Sequence, residues 1–230
     1  MSITINIKRD NGGQYDFDIP TEWKDMTLKY WSELAAIIKT HHDNTKLKHN
    51  SFKERYAEDE EDLTKILESI EFVDNVALNG KIFSYMSGIS AEDMKNVDME
   101  KVTQVIELVG DLTKEYQPKG IRSFDFEGET YYFPSDSLKD NTYGDFIEST
   151  ALDMTVESMK HGKYDILPQQ MAILCRRAGE DYNEEIVEEK SKKFKNLTMD
   201  IVYEFAFFLT NQSKRLLKIS NMYLEKKEKV

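Results

Sequence analysis

A single cysteine, Cys175, excludes an intrachain disulfide and fits a reducing folding environment. The ten glycines are scattered, so no phosphate-cradling glycine loop can form; a GxSxG elbow, zinc-ligand spacing and a calcium loop are absent as well. Long apolar runs are missing. The longest, Met199–Leu209, is interrupted by Asp200 and Glu204, whereas a bilayer-crossing helix needs about 20 apolar residues. Positive charge is scarce too: 31 Lys and Arg stand against 43 Asp and Glu, for a net charge of −12. That balance disfavours general nucleic-acid binding and adsorption to anionic membranes. The opening Met-Ser-Ile-Thr-Ile-Asn alternates polar and apolar residues and lacks the layout of a signal peptide.

What is present suffices for a core. Of the 230 residues, 40% are hydrophobic, and 12 Phe and 12 Tyr outweigh two Trp, so the chain should fold. Ile3, Ile5 and Ile7 alternate on one strand face, Asn11-Gly12-Gly13 is turn chemistry, and 15–19 reads as the returning strand. A helix from Thr27 carries Leu28, Trp31, Leu34, Ala35 and Ile38 on one stripe. The polar, aperiodic stretch 41–57 predicts an exposed loop. Leu63, Ile66, Leu67, Ile70 and Val73 predict a helix, and 76–86 another, with Asn79-Gly80 a break and Gly88 a stop. Ser90 and Asp93 resemble a capping box, and Met99, Val102, Ile106, Val109 and Leu112 predict the next helix.

Gln117-Pro118-Lys119-Gly120 divides the chain into 1–117 and 118–230. The second half opens with a hairpin, 121–126 and 130–133 about a Glu127-Gly128 turn. Helices follow after Thr142, over 165–178 with Pro168 in the first turn and Gly179 at the end, over 183–197, and from Thr198 to about Leu224. The fold class expected is mainly α with two short β-hairpins, α+β. The halves share their order of elements, and the pairs Lys24/Lys139, Asp25/Asp140 and Thr27/Thr142 keep one spacing. Two similar lobes from an internal duplication would explain this, and chance is the alternative.

No catalytic, cofactor or metal site is read from the residues. His41, His42 and His49 with Asp43 lack the fixed geometry that a metal needs and fit a solvated loop better. Runs such as 58–62 and 184–189 are typical of solvated faces, not of carboxylate pairs with separated pKa values. Arg176-Arg177 could activate Cys175, but the thiol follows Ile173-Leu174, which suits burial. Chemistry is thus left to surfaces. The aromatic residues Trp23, Trp31, Tyr131, Tyr132 and Phe146 are candidate anchors, with Leu216 and Tyr223 on a Lys-rich amphipathic tail suited to a neighbour's groove. Strand edges of the hairpins, pairing with each other or with another chain, offer a second contact mode.

Several segments resemble small tail-assembly and virion proteins of tailed bacteriophages, including crAss-like phages. They are Phe-Glu-Gly-Glu-Thr-Tyr-Tyr-Phe (126–133), Thr-Tyr-Gly-Asp-Phe-Ile-Glu (142–148), Met-Ala-Ile-Leu-Cys-Arg-Arg (171–177) and Asn-Leu-Thr-Met-Asp (196–200). Ile-Pro-Thr-Glu-Trp (19–23) and Leu-Thr-Lys-Ile-Leu (63–67) are similar in style. The resemblance implies a non-enzymatic structural or tail-assembly protein of the tail or neck region, a chaperone or a subunit. It would bind other phage structural proteins as a homo- or hetero-oligomer, in the host cytoplasm during assembly or in the virion. The alternatives are a cellular helical adaptor for a peptide or helix and, third, a hydrolase using carboxylates or the histidines at 41–49.

Overall fold

The computed structural model describes residues 2–8, 14–56, 60–90, 92–114, 116–134, 143–152, 159 and 162–227, with the side chains of 8, 14, 15, 60, 61, 143, 146, 216 and 219–227 outside the description. The protein is mainly helical, with two small antiparallel sheets of two strands each. It falls into two compact units, residues 1–25 with 33–115, and residues 26–32 with 116–230.

In the first unit, β1 (Ser2–Lys8) pairs with β2 (Gln14–Pro20), placing Ile5 opposite Phe17 and Ile3 opposite Ile19. Ile5, Ile7, Phe17 and Ile19 are buried, while Ile3 at the strand end is exposed. The predicted turn at 11–13 lies outside the described residues. Two 28-residue helices follow, α1 (Leu28–Arg55, of which 33–55 belong to this unit) and α2 (Glu60–Ser87). They run antiparallel, as bonds from Tyr85 to Glu33, Lys81 to His41, and Thr45 and Lys48 to Asp74 show.

Two expectations fail here. Residues 41–55 are helix, not loop, and His41 is buried rather than solvated. No Gly or Pro occurs between Pro20 and Gly80 to stop a helix, and His41, Thr45 and Lys48, at spacings of four and three, reach α2 from one helix face. Polar residues fill these phases because Asp74 on α2 satisfies two of them, which hid the repeat. Nor does Asn79-Gly80 break α2, since a single glycine costs only about 1 kcal/mol against a continuous hydrogen-bond ladder. A Cβ at Gly80 would first meet the Met94 side chain, at 3.9 Å, an ordinary contact. Gly80→Ala is therefore expected to stabilise the protein by about 0.5–1 kcal/mol, read as a higher urea midpoint with an unchanged slope.

Gly88, at φ 70, ends α2 as expected. Ser90 Oγ accepts from the Asp93 N–H at 3.1 Å, so the capping signal is real, although it starts only a 3-10 turn, Asp93–Asn96. Helix α3 (Met99–Leu112) buries Val102, Val105, Val109 and Leu112, whereas the expected Met99 is exposed.

In the second unit, β3 (Ser123–Phe126) and β4 (Glu129–Tyr132) join through Glu127 and Gly128, both at positive φ, the two-residue turn that matches strand twist. Among the described residues follow helices α4 (Tyr143–Ala151), α5 (Leu167–Leu174), α6 (Glu184–Phe194) and α7 (Met199–Lys227). Helix α5 stops at Leu174, not at Gly179. Cys175 is extended, and the next residue, Arg176, exchanges backbone hydrogen bonds with Tyr132, extending the sheet by one bridge. Asn183 caps α6 by accepting from the N–H groups of Glu185 and Ile186. As its apolar run implies, the first part of α7 is core: Met199, Val202, Phe205, Ala206, Phe208 and Leu209 are buried. The start of α1 belongs here as well: Leu28 N–H donates to Leu197 O and Met199 N–H to Met26 O, both at 2.8 Å.

Among the described residues each hairpin forms its own two-stranded sheet.

Candidate interaction surface

Helix α2 carries two apolar stripes. Leu63, Ile66, Leu67, Ile70, Leu78 and Ile82 follow helical spacing, with the first four half-buried and the last two buried. The second stripe runs through Phe72, Val76, Phe83 and Met86, at spacings of four, seven and three that keep one face. At its carboxyl end the stripe is covered: Phe83 is 0% exposed and Met86 6%, and the Phe17 ring meets Phe83 edge-on at 5.6 Å. At its amino end it is open. Phe72 is 71% exposed and Val76 46%, with Val73 beside them at 62%.

Charge frames this open end. The sequence of 60–76 carries six carboxylates and one lysine, Lys65. Glu68 and Glu71 near Phe72 are exposed, while Asp74 turns inward to Thr45 and Lys48. Those bonds, the Lys48 bond first, hold the Asp74 carboxyl below its ordinary value against the opposing pull of burial. The face therefore offers an aromatic ring and two branched aliphatic groups inside an acidic rim. Covering such side chains fully stabilises a complex by about 1.5–3 kcal/mol each.

The sequence-based candidates fall elsewhere. Trp31 is buried, edge-on to Tyr164 at 6.0 Å, and Tyr131 is buried between Phe124 and Phe194. Both are packing residues and present no open ring face to a partner. Trp23 is half-buried in a 3-10 turn, Trp23–Asp25. Tyr132 is 48% exposed, but its backbone is already paired with Arg176, which closes that stretch of strand edge. The side chains of Phe146, Leu216 and Tyr223 lie outside the described residues. Sequence reasoning missed Phe72 and Val76. Their signal was phase: they sit out of register with Ile66, Leu67 and Ile70, so α2 has apolar residues on more sides than one neighbour can cover.

The charged cluster of the second unit serves the fold. Glu180 accepts from Arg177 Nε at 2.9 Å and from Lys190 Nζ at 2.5 Å, and Lys190 also donates to Cys175 O. Burial raises the Glu180 carboxyl, but Lys190 and Arg177 outweigh it and keep the group ionised. The Cys175 thiol is fully buried, and burial pushes it well above the ordinary thiol range, as its apolar flank suggested. An open concavity lined by Glu129, Arg177, Glu180, Tyr182, Asn183 and Ile186 borders this cluster. Its arginine is engaged by Glu180 and lies 3.8 Å from Glu129.

A buried carboxylate that the sequence did not flag is Glu204, in the first half of α7. It accepts from Tyr116 Oη at 2.8 Å and from the backbone N–H groups of Lys119, Gly120 and Ile121. Burial raises its carboxyl, but the Lys119 N–H, the Tyr116 hydroxyl and the two further N–H groups prevail and hold it below its ordinary value. Glu204 thereby ties the segment before β3 to the core helix.

Among the described residues, no group of three or more His, Cys, Asp or Glu is placed to hold a metal ion, and no helix is long and apolar enough to cross a membrane. Compared with known proteins, the chain matches no protein-family model, no curated protein and no solved structure.

Proposed function

We propose that this protein acts without catalysis, through protein–protein contacts, as a structural or tail-assembly protein of a tailed bacteriophage. One observation carries the contact part of this reading: the Phe72, Val73 and Val76 face of α2 is open to solvent although the same stripe is covered further along. Contiguous exposed apolar groups of this kind mark sites of association. The phage setting rests on the resemblance of residues 126–133, 142–148, 171–177 and 196–200 to tail-assembly and virion proteins. Its partners are then other phage structural proteins, met in the host cytoplasm or in the particle.

The test is a Phe72→Asp, Val76→Asp double variant introduced into the native gene. Both side chains are exposed, so folding stability should change by no more than about 0.5 kcal/mol for each. Particle yield should collapse while the variant chain accumulates in soluble, folded form. Normal particle yield from the double variant would remove the reading. A cellular adaptor, the competing reading, predicts no virion component among the partners of this face.

A further inference from the structure

We infer that the occupant of the open α2 face is the basic carboxyl-terminal part of α7 from a second copy of this chain. This inference rests on the contact reading above and names its partner. Charge complementarity selects the occupant. Among the described side chains, Asp62, Glu68 and Glu71 are exposed on 60–76 beside one lysine, Lys65, while Asp74 is taken by Lys48; Lys214, Arg215 and Lys218 are exposed on α7, in a chain whose net charge is −12. A strongly acidic stretch and a strongly basic one are therefore both presented as helix, within Glu60–Ser87 and Met199–Lys227.

Apolar groups match as well. Leu217 is 63% exposed between Lys214 and Lys218, both exposed, at the i, i+3, i+4 spacing of one helix face. The Phe72 and Val76 face presents the converse, an apolar centre beside Glu68 and Glu71. An amphipathic helix laid along an apolar helix face, with opposite charges at the rims, satisfies both surfaces together. Two different surfaces meet, so the contact is either exchanged reciprocally in a twofold dimer or passed head to tail, each copy giving its α7 end to one neighbour and its α2 face to the next. Repetition of the head-to-tail contact closes a ring or extends a filament, according to the rotation per step.

The experiment is sedimentation velocity on the full-length protein over a concentration series at low and high salt. Wild type should pass from the 26.9 kDa monomer to oligomers with rising concentration, and salt should oppose this because exposed charges are screened. Lys214→Glu with Lys218→Glu should weaken self-association about tenfold or more, as should Glu68→Lys with Glu71→Lys. Mixing those two charge-reversed proteins should restore association, a result that misfolding cannot produce. A wild type that stays monomeric throughout would overturn the inference, as would charge-reversed proteins that associate like wild type or fail to rescue each other when mixed. In the first case the contact reading survives if Phe72→Asp, Val76→Asp still abolishes particle assembly, since the face then serves a different subunit.

Discussion

Glu204→Gln should cost about 3 kcal/mol of stability, because three backbone N–H groups would then converge on an amide that is neutral and partly a donor. Wild-type Glu204 is 4% exposed and accepts from Tyr116, Lys119, Gly120 and Ile121. One amide oxygen can serve some of these donors, but the NH2 that replaces the second oxygen faces the others. In a protein of this size the loss should lower Tm by about 10 °C. The same geometry gives a pH signature. A carboxyl whose folded-state pKa is depressed contributes stability above its unfolded pKa, and that contribution is lost as pH falls through the folded value. The gap between wild type and Glu204→Gln should thus be full at neutral pH and narrow as pH drops below about 4. Urea midpoints of the two proteins at a series of pH values check this. A gap that stays constant into acid would mean that the carboxylate charge is not what binds the segment.

Phe194→Ala should be more costly still, about 4 kcal/mol. Phe194 is 0% exposed and sits where the β3–β4 hairpin meets α6, with its ring 5.1 Å from that of Tyr131 and 5.9 Å from those of Phe124 and Phe126. Truncation removes the central ring of this cluster, and the hairpin backbone, pinned by its turn and by the Arg176 bridge, cannot collapse into the space. Loss of near-ultraviolet circular dichroism from the tyrosines should accompany the drop in urea midpoint. Phe194→Leu refills most of the volume and should cost well under half as much. Equal costs for the two variants would show that the ring's shape and edge contacts, not the volume it fills, hold this cluster together.

How readily each element could be read from the chain follows from where its determinants lie. The turn at Glu127-Gly128, the helix start at Asn183 and the apolar run 199–209 each depend on neighbours in sequence, and all three are found as expected. Helix α1 past Ile38 was hidden because its positions facing α2 hold His41, Thr45 and Lys48, and the partner of the last two, Asp74, lies 26 residues beyond Lys48. Helix α5 is shorter than 165–178 because Arg176 pairs with Tyr132, a partner that nothing local in the sequence reveals. In α3, Val105 and not Met99 is buried, a shift that depends on what packs beside the helix. The aromatic candidates suffered the same ambiguity: a ring suited to a partner is equally suited to a core, and Trp31 and Tyr131 went inside.

Composition and local pattern were enough to specify a mainly helical chain with two hairpins, the Glu127-Gly128 turn, the helix start at Asn183, and enough rings to bury a core. The choice of neighbour for each face came from the folded arrangement: Glu204 gripping backbone 85 residues away, Thr27 bridging Thr198, and α2 keeping Phe83 covered and Phe72 bare. Apolar attraction is non-directional, so a stripe of side chains demands cover without naming what supplies it. Turns and caps are settled by hydrogen bonds within a few residues, whereas long-range partners are settled only when distant segments compete for the same surface.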